Sequence, residues 1–219
     1  MGEEELTLSY LEKILKVNET INLTRIDSWE QALVLHVEDS LVGLDELNDA
    51  PDGLYGDLGS GGGFPGVPLG IYSGRKTILV DSVKKKMKAV EDVLNELNLA
   101  CQIDTYDGRI EDLAKERPAS FSVLTARALS QLGSLLELAS PLLCKGGRLI
   151  CYKARLEDSE VSTALQVCDL VGMRLISRRK VLLSDGETIR EIVVFEKHSK
   201  PKIKLPRRVG LAQKNPLCI

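Results

Sequence analysis

The sequence predicts one α/β domain: a mostly parallel sheet with an antiparallel last strand, preceded by an N-terminal helical extension. Three observations predict it. From Leu54 onward, short apolar runs alternate with amphipathic stretches, which argues for parallel strands covered on both faces by helices. A glycine-rich loop follows the first of those runs. Near the end the order changes to two strands joined by an Asp-Gly turn, the signal of a hairpin. At 219 residues the chain is long enough for one well-buried core and too short for two ordinary domains.

Each element has its own justification. Leu6, Tyr10, Leu11, Ile14 and Leu15 fall on one face of a first helix. Asn22-Leu23-Thr24 is a turn. Ser28 and Gln31 have the spacing of a capping box and open a second helix carrying Ala32, Leu33, Leu35 and Val37. Neither helix alternates with a strand, so residues 1–50 form the N-terminal helical extension, closed by the turn Pro51-Asp52-Gly53. Strands are expected at 54–58, 76–81, 101–106, 121–126 and 147–153. Val83, Met87, Val90, Leu94 and Leu97 mark the clearest helix between them. A helix at roughly 157–171 precedes strands at about 173–183 and 188–196, joined by Ser184-Asp185-Gly186-Glu187. The α/β domain therefore spans 51–198, and residues 199–219 are a basic C-terminal tail.

Composition narrows the class. With 43% hydrophobic and 28% charged residues the chain reads as a folded soluble protein, not a disordered one. No apolar run has the length of a membrane span, and Met1-Gly2-Glu3-Glu4-Glu5 is acidic where a signal peptide is basic, so a cytoplasmic monomer is expected, with no membrane partner. Cys101, Cys144, Cys151, Cys168 and Cys218 form no C-x-x-C pair and read as buried free thiols. The histidines, His36 and His198, lie far from any cysteine pair, so no metal site is expected.

The net charge of -3 conceals an asymmetry. No Asp or Glu follows Glu196, whereas Lys197, Lys200, Lys202, Lys204, Arg207, Arg208 and Lys214 do. Taking those seven from the 29 basic residues leaves 22 against 32 acids, so residues 1–196 carry about -10. A basic tail on an acidic body suggests a polyanionic partner. A flexible tail of this kind would supply affinity, and its removal would leave the rest of the domain, and any cofactor binding, nearly unchanged.

The main chemical signal is Tyr55-Gly56-Asp57-Leu58-Gly59-Ser60-Gly61-Gly62-Gly63-Phe64-Pro65-Gly66. Loops at this place lie at the carboxyl end of the sheet, where open α/β folds bind ligands. Dinucleotide enzymes favour G-x-G-x-x-G, but Phe64 occupies the third glycine position here. The spacing is D-x-G-x-G-x-G, which resembles the cofactor loop of class I methyltransferases. S-adenosylmethionine has no phosphate; it carries an ammonium and a sulfonium, which suits Asp57 at the strand end. Asp81, ending the second strand, can accept ribose hydroxyls, and Ile110 and Glu111 would sit beside the adenine. No N-P-P-Y or D-P-P-Y follows the fourth strand, and no cysteine stands where a pyrimidine-C5 nucleophile is needed. An acceptor that is already nucleophilic, such as guanine N7, requires neither. Two competitors are a methyltransferase acting on another RNA or a small molecule, and a nicotinamide-dependent dehydrogenase; Phe64 and the lack of a catalytic tyrosine-lysine or histidine arrangement speak against the dehydrogenase.

Several strings together resemble one family: Asn22-Leu23-Thr24, His36 with Asp39-Ser40-Leu41, Asp57 to Pro68, Val80-Asp81-Ser82 with Lys84-Lys85-Lys86, Thr125-Ala126-Arg127-Ala128, Pro206-Arg207-Arg208-Val209-Gly210 and Lys214-Asn215-Pro216-Leu217. They are similar to the ribosomal RNA small subunit methyltransferase G family, also called the glucose-inhibited division protein B family. The resemblance implies a Rossmann-like class I methyltransferase fold and S-adenosyl-L-methionine as cofactor. It implies methyl transfer to N7 of a guanine in bacterial 16S ribosomal RNA, so that the partner is that RNA or the small ribosomal subunit. Carried onto these positions, it implies cofactor contacts from Gly59, Phe64, Ile110, Glu111 and Arg127, beside Asp57, Gly61 and Asp81 read from the loop and strand ends, with Arg127 also catalytic near the target base. It implies RNA contacts from Lys153, Arg155, Arg207, Arg208 and Lys214. The chain departs from the family in two places: the stretch at Lys153 and Arg155 departs in detail, and before Asn22 the chain has Val17-Asn18 rather than a W-N pair, which reads as helix packing. His36 reads as a packed histidine before a catalytic base, and Lys84 to Lys86 with Lys88 as a solvated face.

Overall fold

The structure, a computed structural model, describes residues 2–26 and 28–217; Cys218 lies outside them. Helix α1 (Glu3–Asn18) is followed by α2 (Trp29–Ala32), a π-helical segment (Leu33–Glu38), α3 (Asp39–Leu41) and α4 (Leu44–Asn48). Then come β1 (Leu54–Leu58), α5 (Gly66–Ser73), β2 (Thr77–Val80), α6 (Lys84–Glu96), β3 (Ile103–Tyr106), α7 (Ile110–Glu116) and β4 (Phe121–Arg127). The chain continues through α8 (Leu132–Ala139), β5 (Leu143–Lys153), α9 (Asp158–Val171), β6 (Met173–Leu182), β7 (Ile189–Lys197) and a short α10 (Leu211–Lys214).

The seven strands form one sheet in the order β3-β2-β1-β4-β5-β7-β6. Strands β1 to β5 pair in parallel, and β7 runs antiparallel to both β5 and β6, as the Asp-Gly turn predicts. From β1 the chain builds outward to β2 and β3, then returns to place β4 on the other side of β1. That reversal opens a crevice at the carboxyl ends of β1 and β4, where open α/β sheets bind ligands.

Helices α7, α8 and α9 cover one face of the sheet, with Leu113, Leu136 and Val167 packed into the same cluster as Leu124 and Phe195. On the opposite face α5 and α6 are joined by the N-terminal helices. Tyr10, Leu11 and Ile14 of α1 are fully buried among Val67, Met87 and Val90, and Leu47 of α4 packs with Tyr55, Leu69 and Tyr152. Fully burying side chains of this size contributes roughly 1.5–3 kcal/mol each. The N-terminal extension thus packs into the same layer as α5 and α6.

Three local expectations are corrected. Val83 is the N-cap of α6, outside the helix, and is 46% exposed. Cys101 is exposed and Cys144 half-buried, so only Cys151 and Cys168 of the described cysteines are interior thiols; burial pushes the Cys151 thiol up to about 12. The basic tail is not a free arm. Arg207 donates to both carboxylate oxygens of Glu137 at 2.6 and 2.5 Å, Ser134 Oγ donates to the carbonyl of Ala212 at 2.7 Å, and Ala212 is 2% exposed. The reason lies in α8: Glu137 is 2% exposed in an apolar helix and needs a cation. Gly172, at φ +71, lets the tail cross the end of α9, because a Cβ there would meet the Ser199 backbone.

Candidate active site

The glycine loop is shaped from beneath by Asp57. This carboxylate is fully buried at the end of β1. Its Oδ1 accepts from Thr125 Oγ1 at 2.7 Å; its Oδ2 accepts from Ser60 Oγ at 2.6 Å and from the Gly66 N–H at 3.0 Å. Burial raises its pKa, and the bonds from Ser60 and Thr125 oppose the rise. The oxygens of Asp57 are turned inward, holding the two ends of the loop together. Phe64, which the resemblance places at the cofactor, packs against the N-terminal helices. Its ring is 5% exposed, stacked on His36 at 4.4 Å between centroids and meeting Tyr10 edge-on at 5.6 Å, so it anchors the loop to the N-terminal helices.

On the open side of the loop the structure brings four of the expected residues together. Gly59, Asp81, Ile110 and Glu111 line one cleft of about 80 Å³. Gly59 and Gly61 have φ of +74° and +57°, the left-handed region that favours glycine. Asp81 Oδ2 accepts from the Gly61 N–H at 3.0 Å and Oδ1 from the Val83 N–H at 2.9 Å, so its carboxylate stands at the rim between the loop and α6. Glu111 Oε1 accepts from the Gly210 N–H at 2.6 Å, and Gln213 is part of the cleft wall. The tail therefore borders this cleft, a contact that charge pattern alone does not reveal. The cleft is narrow because the Leu129 side chain lies against Gly59. Its glycine backbone and its two carboxylates suit the hydroxyls of a nucleoside and a cationic end group.

A second cavity, about 430 Å³, opens beside it at the ends of β4 and β5, with His36, Arg127, Tyr152, Lys153, Arg155 and Arg190 in its wall. Its charges are paired. Arg127 Nη1 donates to Asp39 Oδ2 at 2.7 Å and to the Leu35 carbonyl at 3.1 Å; Arg190 Nε donates to Asp39 Oδ1 at 2.6 Å and Nη2 to Oδ2 at 3.1 Å. Asp39 is 1% exposed and shared by two guanidinium groups. Lys153 is tied to Glu160 at 2.7 Å and to the Ser130 carbonyl at 3.2 Å, while Arg155 is exposed at the mouth. Among the tail cations, Arg208 and Lys214 are exposed and Arg207 is held by Glu137.

His36 completes the wall and Asn18 shapes the turn behind it, and the sequence does not announce either role. His36 sits in the π-helical segment, 5% exposed, its Nε2 2.9 Å from Thr24 Oγ1; its Nδ1 is buried with no hydrogen-bond partner. Burial, and then the nearby Arg127 charge, lower its pKa to about 4. Asn18, read as helix packing, accepts from the Leu23 and Thr24 N–H groups at 2.8 and 2.9 Å and so folds the turn that delivers Thr24 to His36.

The chain is similar to known proteins along most of its length. The family model described as rRNA small subunit methyltransferase G matches residues 3–186. The ribosomal RNA small subunit methyltransferase G of Carboxydothermus hydrogenoformans is 34% identical over 211 residues, covering 95% of this chain and 89% of that protein. The same-named protein of Alkaliphilus metalliredigens is 30% identical over 213 residues, covering 96% and 89%. Among solved structures, an O-methyltransferase from Bacillus cereus in complex with SAH superposes with a TM-score of 0.59 over 86% of this chain and 91% of that one, at 19% identity, which supports the shared fold. With the family match over most of its length, its class I methyltransferase sheet and its glycine-loop cleft, the chain belongs to the rRNA small subunit methyltransferase G family.

Proposed function

We propose that the protein transfers a methyl group from S-adenosylmethionine to N7 of a guanine in bacterial 16S ribosomal RNA. The observation that carries the choice of atom is the state of the acceptor cavity. Its carboxylate, Asp39, is neutralised by Arg127 and Arg190, and its histidine is held near a pKa of 4. Neither is a general base for an acceptor that must lose a proton at neutral pH. Guanine N7 carries its own lone pair and loses no proton, so positioning and exclusion of water suffice.

The bound cofactor supplies an electrophilic methyl on a sulfonium. Of this chain's residues, Gly59, Gly61, Asp81, Ile110 and Glu111 would hold it: the carboxylate of Asp81 at the ribose hydroxyls, Ile110 against the adenine, the loop backbone at the amino-acid end. Arg127 lines the acceptor cavity at the end of β4, and with Arg190 presents N–H donors suited to a guanine O6. Lys153 and Arg155 lie at the cavity's outer wall, where the phosphates of the same nucleotide would lie, and Arg208 and Lys214 add exposed cations on the tail. The reading includes a monomeric enzyme in the cytoplasm, acting on 16S ribosomal RNA or on the small subunit that contains it.

The test is methylation of unmodified 16S ribosomal RNA by the purified protein, followed by borohydride reduction and aniline cleavage, which cuts at 7-methylguanosine. One cleavage site dependent on enzyme and S-adenosylmethionine is expected. Incorporation of labelled methyl without cleavage would overturn N7; a cofactor site that takes NAD in place of S-adenosylmethionine would overturn the cofactor.

A further inference from the structure

A larger cleft, about 1360 Å³, lies in neither of these places. It runs between α1, the segment at 19–26 and the start of α6, and exceeds the roughly 300–1,000 Å³ of small-molecule sites. Lys16, Arg25, Trp29 and Lys86 line it, with Asn22 and, from the α1 side, Glu12 and Glu19. Ala128, exposed, lines both this groove and the acceptor cavity, so the two meet at one residue. Ala128 is at φ +54, a conformation that non-glycine residues adopt rarely, at the point where the chain leaves β4.

Trp29 is the one tryptophan of the sequence and is 38% exposed, so part of its ring is open to the groove. Its place is fixed: Ser28 caps α2 by accepting from the Gln31 N–H at 3.3 Å. Lys16 and Arg25 are exposed beside it, and Lys86 faces it from α6. A flat aromatic flanked by cations, in a groove too wide for a small ligand and leading to a base-sized cavity, matches the way single-stranded RNA is held. Bases stack on the ring and phosphates meet the cations, without demand for sequence.

We propose that this groove binds the single-stranded RNA adjoining the target guanine, with one base stacked on the Trp29 indole and the backbone passing Lys16, Arg25 and Lys86 toward Ala128. The inference rests on ribosomal RNA being the substrate. Since Trp29 is the sole tryptophan, its fluorescence reports the contact directly. The full chain, saturated with S-adenosylhomocysteine, is titrated with single-stranded oligonucleotides from 16S ribosomal RNA and with the same sequences as duplexes. Saturable quenching by the single strands is expected, weaker at higher salt, with little from duplexes. Trp29→Ala should raise the KM for RNA about tenfold, as loss of one stacked base does. It should leave kcat within twofold and cofactor affinity unchanged, and Trp29→Phe should restore most of the loss. Arg25→Gln should flatten the salt dependence of binding. Methylation of RNA with no change in Trp29 emission, or an unchanged KM in Trp29→Ala, would overturn the groove. Quenching of Trp29 without methyl transfer to guanine N7 would instead overturn the proposed reaction and leave the groove standing.

Discussion

Stability should fall with acid in a way that a single histidine controls. His36 is stacked on Phe64, and its Nδ1 is sealed without a partner. Protonation would place a second cation next to Arg127 inside the core, and its pKa is accordingly lowered from 6.5 to about 4. The unfolded chain binds this proton from about pH 6.5 downward and the folded chain does not, so stability is lost as pH falls from 6.5 and the loss levels off below about 4. A gap of two to three pKa units corresponds to roughly 3 kcal/mol in total, of which about 2 kcal/mol is lost by pH 5, before most carboxylates titrate. For a chain of this size that is about 4–8 °C in Tm. The assay is urea unfolding of the wild type and of His36→Gln at pH 7.0 and 5.0. Gln removes the titration while keeping a side chain that can hydrogen-bond Thr24. The variant should be less stable at pH 7, since the stack on Phe64 is lost, but its stability should change much less between the two pH values. An equal pH dependence in both proteins would refute the burial argument.

Other outcomes follow from the same network. Asp39→Asn should lower methylation by tenfold or more at saturating substrates, because two guanidinium groups then share a neutral partner; single-turnover rates measure it. Arg127→Ala should lower the rate as strongly while the far-ultraviolet circular dichroism persists, and wild-type turnover would show that its bonds to Leu35 and Asp39 serve the fold alone. Arg207→Ala leaves Glu137 buried without its cation and should cost about 3–5 kcal/mol in chemical denaturation. Truncation after His198 removes that cation together with the Gly210 and Gln213 contacts at the cofactor cleft, so both the melting temperature and the calorimetric affinity for S-adenosylmethionine should change, unlike the outcome expected of a free tail.

The sheet was legible in the sequence because its signals are local. The strands follow from apolar runs, although β5 begins at Leu143, four residues before the expected start, and β3 at Ile103, two after it; the antiparallel end follows from Asp185-Gly186 alone. The glycine loop was legible for the same reason, as was Asp81 at the end of β2. What remained hidden is every pairing that depends on which residue lies opposite. Asp57 has the sequence context of a ligand carboxylate, yet whether it points up to a cofactor or down to Thr125 is decided by β4, 68 residues later. Arg207 reads as one of seven tail cations, and only the placement of Glu137 on the buried face of α8 singles it out.

The same reasoning explains why the N-terminal helices belong to the site. The sheet supplies a cofactor cleft at β1 and β2 and the floor of an acceptor cavity at β4 and β5, but no wall on the outer side. That wall is the helical path from Trp29 to Leu41, and its π-helical turn brings His36 onto Phe64 and sets Asp39 between two arginines that come from β4 and β7. Glu46 of α4 adds a two-pronged pair with Arg179 of β6, and Glu38 accepts from the Ser184 N–H at the hairpin tip. The antiparallel hairpin and the N-terminal helices are thus fastened to each other across the acceptor cavity. A fold shared by methyltransferases of many substrates leaves specificity to the segments added around it. Here those segments are the ones that carry Trp29, His36 and Asp39. A change of acceptor should therefore trace to residues 18–41, with the glycine loop left as it is.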